Sequence, residues 1–238
     1  MGIYAISDLH LSFGGNKPME IFGGNWENHA EKIEQYWREV VAENDLVLMP
    51  GDFSWAMYLK DTYKDFEYLN KLPGKKLLLK GNHDYWWTTL GAMRKYLKEN
   101  NFENIDFIYN NSYLYEGKII AGTRGWAVGE GFHTRPTRIS EDNKMFKREN
   151  IRLELSIKDG LQKYGADKEI IVCMHFPPFN HIEQADMNFI STMKKYNVKM
   201  CIYGHIHGDF NSAVTGNMHG IDFKLVSSDY LDFKVIGI

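Results

Sequence analysis

The sequence has few cysteines, no long hydrophobic run and no signal-like amino terminus. Cys173 and Cys201 are the only cysteines in 238 residues, and both lie in apolar runs. This excludes a disulfide framework and favours two buried thiols in a reducing compartment. No apolar run reaches the roughly 18 residues of a membrane span, and MGIYAIS lacks the basic and apolar regions of a signal peptide. We therefore expect a cytoplasmic protein without contact to membranes.

The sequence also lacks a block of charge of either sign. Lys and Arg total 28 against 31 for Asp and Glu, and the formal net charge is −3. Because basic residues are interspersed with acidic ones, nucleic acid is not an expected partner. The hydrophobic fraction of 44% and the aromatic fraction of 14% are typical of a packed globular protein. We expect one domain that covers residues 1–238.

Short apolar runs of strand length alternate with helical patterns along the chain. The runs cover residues 2–7, 46–50, 75–80, 169–175 and 198–204. Continuous apolar runs are typical of strands that are covered on both faces. The residues between the first three runs repeat apolar positions every three or four residues, which predicts amphipathic helices, the first with Asn25 as its N-cap. The order βαβαβ predicts a parallel sheet with right-handed crossovers.

The remaining chain has other patterns. Residues 105–128 contain short apolar runs broken by turn residues, which predict strands joined by turns. A long helix is predicted from about residue 141 to residue 164, with Ser140 as its N-cap and Gly165 at its end. The stretches IDFKLVSS and LDFKVIGI, within residues 211–238, alternate in the manner of an antiparallel pair of strands.

Polar side chains that can bind metals follow five of the predicted strands. In chain order they are Asp8 and His10 in DLH, Asp52 in GD, Asn82, His83 and Asp84 in GNHD, His175 alone, and His205 and His207 in GHIH. Each cluster by itself could be a turn element or a hydrogen-bonded core histidine. The carboxyl ends of parallel strands, however, share one edge of a sheet, where ligands bind. A single metal site explains why all five clusters lie at strand ends better than five unrelated turns would.

The ligand types indicate which metal chemistry the site supports. Carboxylates, imidazoles and one amide, without thiolates, suit divalent manganese, iron, cobalt or zinc and argue against a structural zinc site. So many candidate ligands are too many for one ion, but two ions about 3.5–4 Å apart could be bound by them and would suit phosphoryl displacement. Since Asp8 and Asp52 neutralise only part of the charge of two divalent ions, the site would stay positive and attract phosphate. A hydroxide bridging the ions becomes available near neutral pH.

The ordered set DLH, GD, GNHD, H and GHIH, which spans residues 8 to 207, resembles the calcineurin-like metallophosphoesterase superfamily. The resemblance implies an α/β fold in which two mixed β-sheets pack face to face with helices on the outside, a four-layer sandwich. It also implies two ions held by seven side chains. The first ion would be bound by Asp8, His10 and His207, the second by Asn82, His175 and His205, and both by Asp52.

The resemblance further implies how the reaction proceeds. A hydroxide that bridges the ions would attack the phosphorus, and His83, which is not a ligand, would serve as general acid or as a donor to the phosphate. Asp84 is a candidate substrate contact or a partner of the surrounding groups. Manganese is the favoured metal, and iron, zinc and cobalt are alternatives.

One departure from the protein-phosphatase branch concerns the cation that grips the phosphate. That branch continues its second motif as Gly-Asp-x-x-Asp-Arg, whereas this chain has GDFSWAM, so phosphoproteins are not expected substrates. A replacement cation could come from the basic residues of segment 123–148, which are Arg124, Arg135, Arg138, Lys144, Lys147 and Arg148. Arg124 is the first candidate, and the alternative is a solvated surface segment.

Aromatic residues crowd the motif loops. They are Phe53, Trp55, Tyr58, Tyr85, Trp86, Trp87 and Trp126. They could stack a nucleobase or hold an aryl or lipid group, or they could pack the loops against the sheet.

Two functions from different classes therefore remain after the sequence analysis. The first is a hydrolase of a phosphomonoester or phosphodiester, whose substrate is a small molecule or a nucleotide. The second is a non-catalytic interaction scaffold on the same fold, which the complete ligand set and the retained His83 disfavour. An endonuclease is disfavoured because no basic stripe could follow a nucleic-acid backbone.

Overall fold

A computed structural model describes residues 1–15, 17–127, 136–179 and 189–238, without the side chains of residues 136–139. Within these ranges the chain forms eleven strands and five α-helices. The strands are β1 Ile3–Ala5, β2 Leu46–Met49, β3 Lys75–Leu79, β4 Ile105–Ile108, β5 Tyr113–Tyr115, β6 Lys118–Thr123, β7 Glu169–Met174, β8 Met200–Tyr203, β9 Gly216–Met218, β10 Ile221–Leu225 and β11 Ile236–Gly237. The helices are α1 His29–Val40, α2 Tyr63–Asn70, α3 Leu90–Glu99, α4 Pro136–Tyr164 and α5 Phe189–Lys195.

The strands form two mixed sheets. The first has the order β11-β1-β2-β3-β4 and the second the order β5-β6-β7-β8-β10-β9. In the first sheet β1 to β4 are parallel and β11 is antiparallel. In the second, β6, β7, β8 and β10 are parallel and the two edge strands are antiparallel. The predicted βαβαβ unit with its parallel sheet is thus confirmed.

The two sheets pack face to face through an apolar layer. Leu48 and Leu77 of the first sheet share a buried cluster with Ile171 and Ile202 of the second. A second cluster joins the outer face of the first sheet to α1, α2 and α3, and a third joins the outer face of the second sheet to α4 and α5. The central strands therefore bury both faces, which explains their continuous apolar sequences, whereas the edge strands β5, β9 and β11 stay partly exposed. The predicted four-layer sandwich is confirmed, and both cysteines are free and buried.

Two predicted helix starts are wrong. Helix α1 begins at His29, and its N-cap is Asn28 with φ of 52° and no side-chain cap, because the residues around Asn25 form a short 3-10 turn instead. Helix α4 begins at Pro136, so Ser140 lies inside it. Proline suits the first turn of a helix because its missing N–H would have no partner there. The predicted end is correct, since Gly165 follows the helix with φ of 96°.

The predicted antiparallel pair in the tail is also wrong. Strand β10 pairs in parallel with β8 in the second sheet, whereas β11 pairs with β1 in the first. The first stretch contains the strand β10, but in the second only Ile236–Gly237 is a strand and residues 231–233 form a turn; an alternating pattern does not specify the partner of either strand. Between the two strands the chain crosses from one sheet to the other, and Ser227 forms a parallel bridge with Ser7. This crossing brings residues 227–229 to the carboxyl end of β1.

No helix among the described residues combines the length and the apolar character that a membrane span requires.

Candidate metal centre

The seven predicted ligands and His83 lie at one edge of the fold, where the carboxyl ends of β1, β2, β3, β7 and β8 meet. The first ligand group consists of Asp8, His10 and His207. Nε2 of His207 lies 3.2 Å from Oδ1 of Asp8 and 3.4 Å from Nε2 of His10. A ligand atom from each of the three residues lies within 4.8 Å of the other two. The structure therefore brings this predicted set together.

The second ligand group consists of Asn82, His175 and His205. Oδ1 of Asn82 lies 2.6 Å from Nε2 of His175 and 2.9 Å from Nδ1 of His205. Nδ1 of His175 lies 3.0 Å from the carbonyl oxygen of Pro50, so this nitrogen carries the proton and Nε2 is left with a free lone pair. These three donor atoms converge as the predicted second set requires.

Asp52 lies between the two ligand groups. Its Oδ2 is 3.5 Å from Nε2 of His175 in the second group and 3.8 Å from Nε2 of His10 in the first. Its Oδ1 accepts a hydrogen bond of 2.8 Å from the backbone N–H of His83. One carboxylate oxygen thus faces both groups, and the other is held by the GNHD loop.

The electrostatics of this cluster fit divalent cations. Burial raises the pKa of Asp52 well above its usual range, and the neighbouring carboxylates of Asp8 and Asp84 raise it further. Burial alone would also raise the pKa of Asp8, but the hydrogen bond and charge of His207 bring it below its usual range. Burial lowers the pKa of His10, and it lowers that of His175 to about 3. Desolvated carboxylates beside neutral imidazoles are costly alone and suit metal ligation.

Four of the motif residues have a left-handed backbone. The φ angles are 58° at Asp8, 48° at His10, 51° at Asp52 and 74° at His205. Such conformations cost roughly 1–3 kcal/mol each for residues other than glycine and cluster at functional sites. Backbone hydrogen bonds stabilise these conformations. The N–H of Asp8 donates to the carbonyl oxygen of Gly51 at 2.9 Å, and the N–H of His10 donates to that of Asp52 at 3.0 Å. The strained turns aim the side chains of these residues into the cluster.

The glycines of the motifs make room for the ligands. A Cβ at Gly51 would overlap with the imidazole of His175, one at Gly81 with the carboxylate of Asp52, and one at Gly204 with that of Asp8. Gly51 also has a φ of 102°. The glycine of each GD, GNHD and GHIH motif is therefore required by a close approach of a ligand to the backbone.

Asp84 organises the loops and does not face the substrate. Its Oδ1 accepts hydrogen bonds from the N–H groups of Phe53 and Ser54 and from the indole of Trp86, at 3.0–3.2 Å. Its Oδ2 accepts from the N–H groups of Asp52 and Gly81, and the side chain is fully buried. The candidate substrate contact is thus corrected: Asp84 fixes the GD loop against the GNHD loop.

His83 faces a cavity of about 580 Å³ beside the first ligand group. We call this cavity the aromatic pocket, since Phe22, Trp26, Trp55 and Tyr85 line it together with His10, His83 and His207. The ring of Trp55 lies 4.3 Å from that of His83 and 4.9 Å from that of His10. The Nζ of Lys17 lies 3.1 Å from the centre of the Trp55 ring. Burial, with the charge of Lys17, lowers the pKa of His83 to about 4.

The predicted aromatic residues divide between the two roles that the sequence left open. Trp55 and Tyr85 line the aromatic pocket, and Tyr85 is 53% exposed. Phe53 and Trp86 are buried in the core beneath the loops. Trp26, which the sequence analysis did not include among the candidate site residues, also lines the pocket.

Arg124 lies beside the second ligand group. Its carbonyl oxygen accepts the backbone N–H of His175 at 3.1 Å, which fixes the end of β7. Its guanidinium lies 4.7 Å from the ring of Trp126, and its Nε is buried without a hydrogen-bond partner among the described residues. Of the other predicted basic residues, Arg135 and the side chain of Arg138 fall outside the described part of the chain.

The sequence analysis missed Asp229, which orients a ligand. Oδ1 of Asp229 lies 2.8 Å from Nδ1 of His207, and its Oδ2 accepts the N–H of Gly208 at 3.1 Å. Burial lowers the pKa of His207, but the carboxylates of Asp229 and Asp8 raise it to about 10. Such carboxylate–histidine pairs fix the ring of a metal ligand. The signal was SSD directly after the IDFKLV strand, the same strand-end position as the other motifs.

Comparison with known families agrees with this geometry. The sequence pattern of the family described as calcineurin-like phosphoesterase matches residues 1–209. The chain belongs to this family. It is therefore a metal-dependent phosphoric ester hydrolase, and the family depends on a dinuclear metal centre of the kind that these Asp and His groups can form.

Individual relatives are distant in sequence. A probable cyclic nucleotide phosphodiesterase of Coxiella burnetii is 24% identical over 226 residues, which are 87% of this chain and 76% of that protein. A protein of unknown function from Aquifex aeolicus has a TM-score of 0.51 at 19% identity, over 99% of this chain and 95% of the other. Phosphopantetheinyl hydrolase of Mycobacterium tuberculosis has a TM-score of 0.56 at 15% identity, over 100% of this chain and 95% of the other. These two structures are similar in fold alone.

Proposed function

We propose that this member of the family hydrolyses a small phosphomonoester or phosphodiester at two divalent ions that Asp52 bridges. The observation that carries the proposal is the position of Asp52 Oδ2, which is 3.5 Å from a histidine nitrogen of one ligand group and 3.8 Å from one of the other. Asp8, His10 and His207 would hold the first ion, and Asn82, His175 and His205 would hold the second. When bound, the two ions would supply an activated water and Lewis-acid stabilisation of negative charge.

The chain's own residues position the substrate and handle the proton. His83 lies outside both ligand groups, its backbone is tied to Asp52, and its ring faces the aromatic pocket. In this position the ring donates a hydrogen bond to the phosphate or, when the anionic phosphate beside it raises its pKa, protonates the leaving oxygen. Arg124 adds positive charge to the phosphate on the side of the second ligand group, in place of the arginine that the GD motif lacks.

The aromatic pocket favours a planar leaving group. The rings of Trp55 and Tyr85 lie next to His83 and that of Trp26 lies next to His10, and bases or aryl groups stack on such rings. The relative named a probable cyclic nucleotide phosphodiesterase is in accord with a nucleotide or aryl ester. Manganese is the ion we favour, while iron, zinc and cobalt suit the same oxygen and nitrogen donors.

A panel of phosphate esters assayed with several metals tests the proposal. The purified chain, freed of metal with a chelator and reloaded separately with manganese, iron, cobalt or zinc, is given aryl and alkyl monoesters and diesters and cyclic nucleotides. We expect activity only after reloading, with manganese among the best ions and with aryl or nucleoside esters preferred over alkyl esters. Equal activity in protein shown by elemental analysis to hold no metal would refute the proposal.

A further inference from the structure

Four basic side chains line a second cavity on the side of the fold that carries Arg124. We call this cavity of about 340 Å³ the basic pocket, and its lining consists of Lys80, Trp87, Thr88, Thr89, Tyr109, Arg124, Arg148 and Arg152. The cations come from three separate parts of the chain: the end of β3, the end of β6 and the middle of α4. The fold therefore collects positive charge that the sequence shows as scattered.

Glu149 is the carboxylate that pairs directly with these cations, while Asp84 attracts Lys80 and Asp52 attracts Arg124 without forming an ion pair. Glu149 is buried and accepts hydrogen bonds of 2.7 Å from Arg152 and from the hydroxyl of Thr123. Arg148 lies 3.7 Å from the same carboxylate. Lys80 and Arg124 have no ion pair among the described residues. The four cations outnumber the one carboxylate that pairs with them, which leaves the pocket positive, and such a cluster repels itself unless an anion binds.

The basic pocket adjoins the second ligand group. Lys80 directly precedes Gly81 and Asn82, and the carbonyl oxygen of Arg124 accepts the N–H of His175. The aromatic pocket, in contrast, is lined by His10 and His207 of the first ligand group. The two cavities thus have no lining residue in common. The amino end of α3, where Thr89 caps the helix, borders the basic pocket and adds a weaker preference for anions.

We propose that the basic pocket is a second anion subsite and that the substrate carries a second phosphate group, apart from the scissile one, which binds there. The inference rests on the proposed function, because it takes the scissile phosphate to lie at the metal centre. Arginine side chains offer paired N–H donors that match phosphate oxygens, and a phosphomonoester carries enough charge to neutralise two cations. The substrate would have its planar group in the aromatic pocket and its second phosphate in the basic pocket.

A matched pair of substrates tests the subsite by kinetics. Both are 4-nitrophenyl phosphodiesters with an alkyl arm of several lengths, and the arm ends in a phosphate in one series and in a hydroxyl in the other. At the best arm length we expect the phosphate series to have a kcat/KM about 10- to 100-fold higher, as charged hydrogen bonds would give. The ratio should fall with added salt. A ratio of one at every arm length would overturn the inference while hydrolysis of the hydroxyl series still upheld the proposed function.

The variant K80Q/R148Q removes two cations without disturbing the buried pair of Glu149 with Arg152. We expect this variant to bring the ratio of kcat/KM between the phosphate and hydroxyl series close to one. Its kcat/KM for the hydroxyl series should stay within about twofold of the parent. The matched control is K158Q, which removes a positive charge from the part of α4 that contacts α5 through Glu154 and Lys195. It should keep the parent's ratio. If K80Q/R148Q kept that ratio as well, the subsite would not be the basic pocket.

Equilibrium dialysis with radiolabelled inorganic phosphate provides a readout that does not depend on turnover. We expect the metal-loaded parent and K158Q to bind two phosphates per chain and K80Q/R148Q to bind one. One phosphate in all three proteins would overturn the subsite. Two in the parent together with a kinetic ratio of one would overturn the assignment to the substrate, because the pocket would then take only free anions. Absence of hydrolysis in both ester series would refute the proposed function, and dialysis would still decide on the anion site.

Discussion

The two sides of the metal centre differ in how they hold their ligands and in what they offer a substrate. On the side of the first ligand group, the side chain of Asp229 holds His207, and the rings of Trp26 and Trp55 surround His10. On the side of the second group, backbone carbonyls hold His175, and the neighbouring cavity is basic. This difference underlies our proposal that the centre orients its substrate, with apolar planar contacts at one end and positive charge at the other.

The largest effect should come from displacing Asp52, which lies between the two ligand groups, and a substitution at Gly81 does this. We expect Gly81→Ala to abolish nearly all turnover, because its Cβ would displace the carboxylate of Asp52. A displacement of about 1 Å at a catalytic centre already costs on the order of 100-fold. The measurement is kcat/KM on an aryl ester together with the metal content of the folded variant.

Gly91→Ala is the matched control for this substitution. Gly91 lies in α3, and nothing lies within 4 Å of the Cβ that alanine would add. The control should keep full activity and gain about 0.5–1 kcal/mol in the free energy of unfolding, since alanine favours the helix. Parent activity and metal content in Gly81→Ala would contradict the close approach described here.

The next largest effect concerns His83 on the aromatic side. We expect His83→Ala to lower kcat by roughly 100- to 10,000-fold, the usual contribution of a general acid, with both ions retained. The loss should be smaller for 4-nitrophenyl esters than for alkyl esters, because nitrophenolate leaves without a proton. Loss of an ion in this variant would mean that His83 is a ligand, and an equal loss for both ester types would limit it to binding the phosphate.

A substitution at Asp229 should weaken metal binding by the first ligand group without affecting the second. We expect Asp229→Asn to reduce the affinity for the first ion by about 10- to 100-fold, because it loosens His207, and to leave the second ion unchanged. Metal titration monitored by calorimetry measures both affinities. Asp209→Asn, an exposed change in the same loop as His207, is the control and should have no effect. Equal weakening of both ions would show that Asp229 acts on the whole centre and not on His207.

The smallest effect should come from the rim of the aromatic pocket. We expect Tyr85→Ala to raise KM for aryl esters by about 10-fold, consistent with the loss of one stacking partner, and to change KM for methyl esters little. Tyr58→Ala removes a ring of similar exposure that does not line the pocket, and it serves as the control. Steady-state kinetics with both ester types decides the matter. The same KM increase for methyl esters would argue against stacking.

The clustering of the predicted ligands could be anticipated from the sequence because each one lies within a few residues of the end of a strand. Continuous apolar runs marked the strands, and parallel order placed their carboxyl ends at one edge. Asp229 could not be assigned a role in the same way, because its position depends on the crossing from β10 to β11, and alternation does not reveal which sheet a strand joins. Lys80 was interpreted only as the end of a strand, since its neighbours in the basic pocket are distant in sequence. The start of α1 was missed because Asn25 and Asn28 are both acceptable caps by residue type.

The most direct test of the central claim is the number of ions bound to Asp52→Asn. The substitution keeps the size of the side chain but removes the charge that offsets the repulsion between two cations, and an amide bridges cations poorly. Elemental analysis of the folded and dialysed variant, beside the parent and Asn82→Asp, gives the number. We predict two ions per chain in the parent, two in Asn82→Asp with slower turnover, and at most one in a nearly inactive Asp52→Asn. Two tightly bound ions and parent activity in Asp52→Asn would contradict the bridged centre.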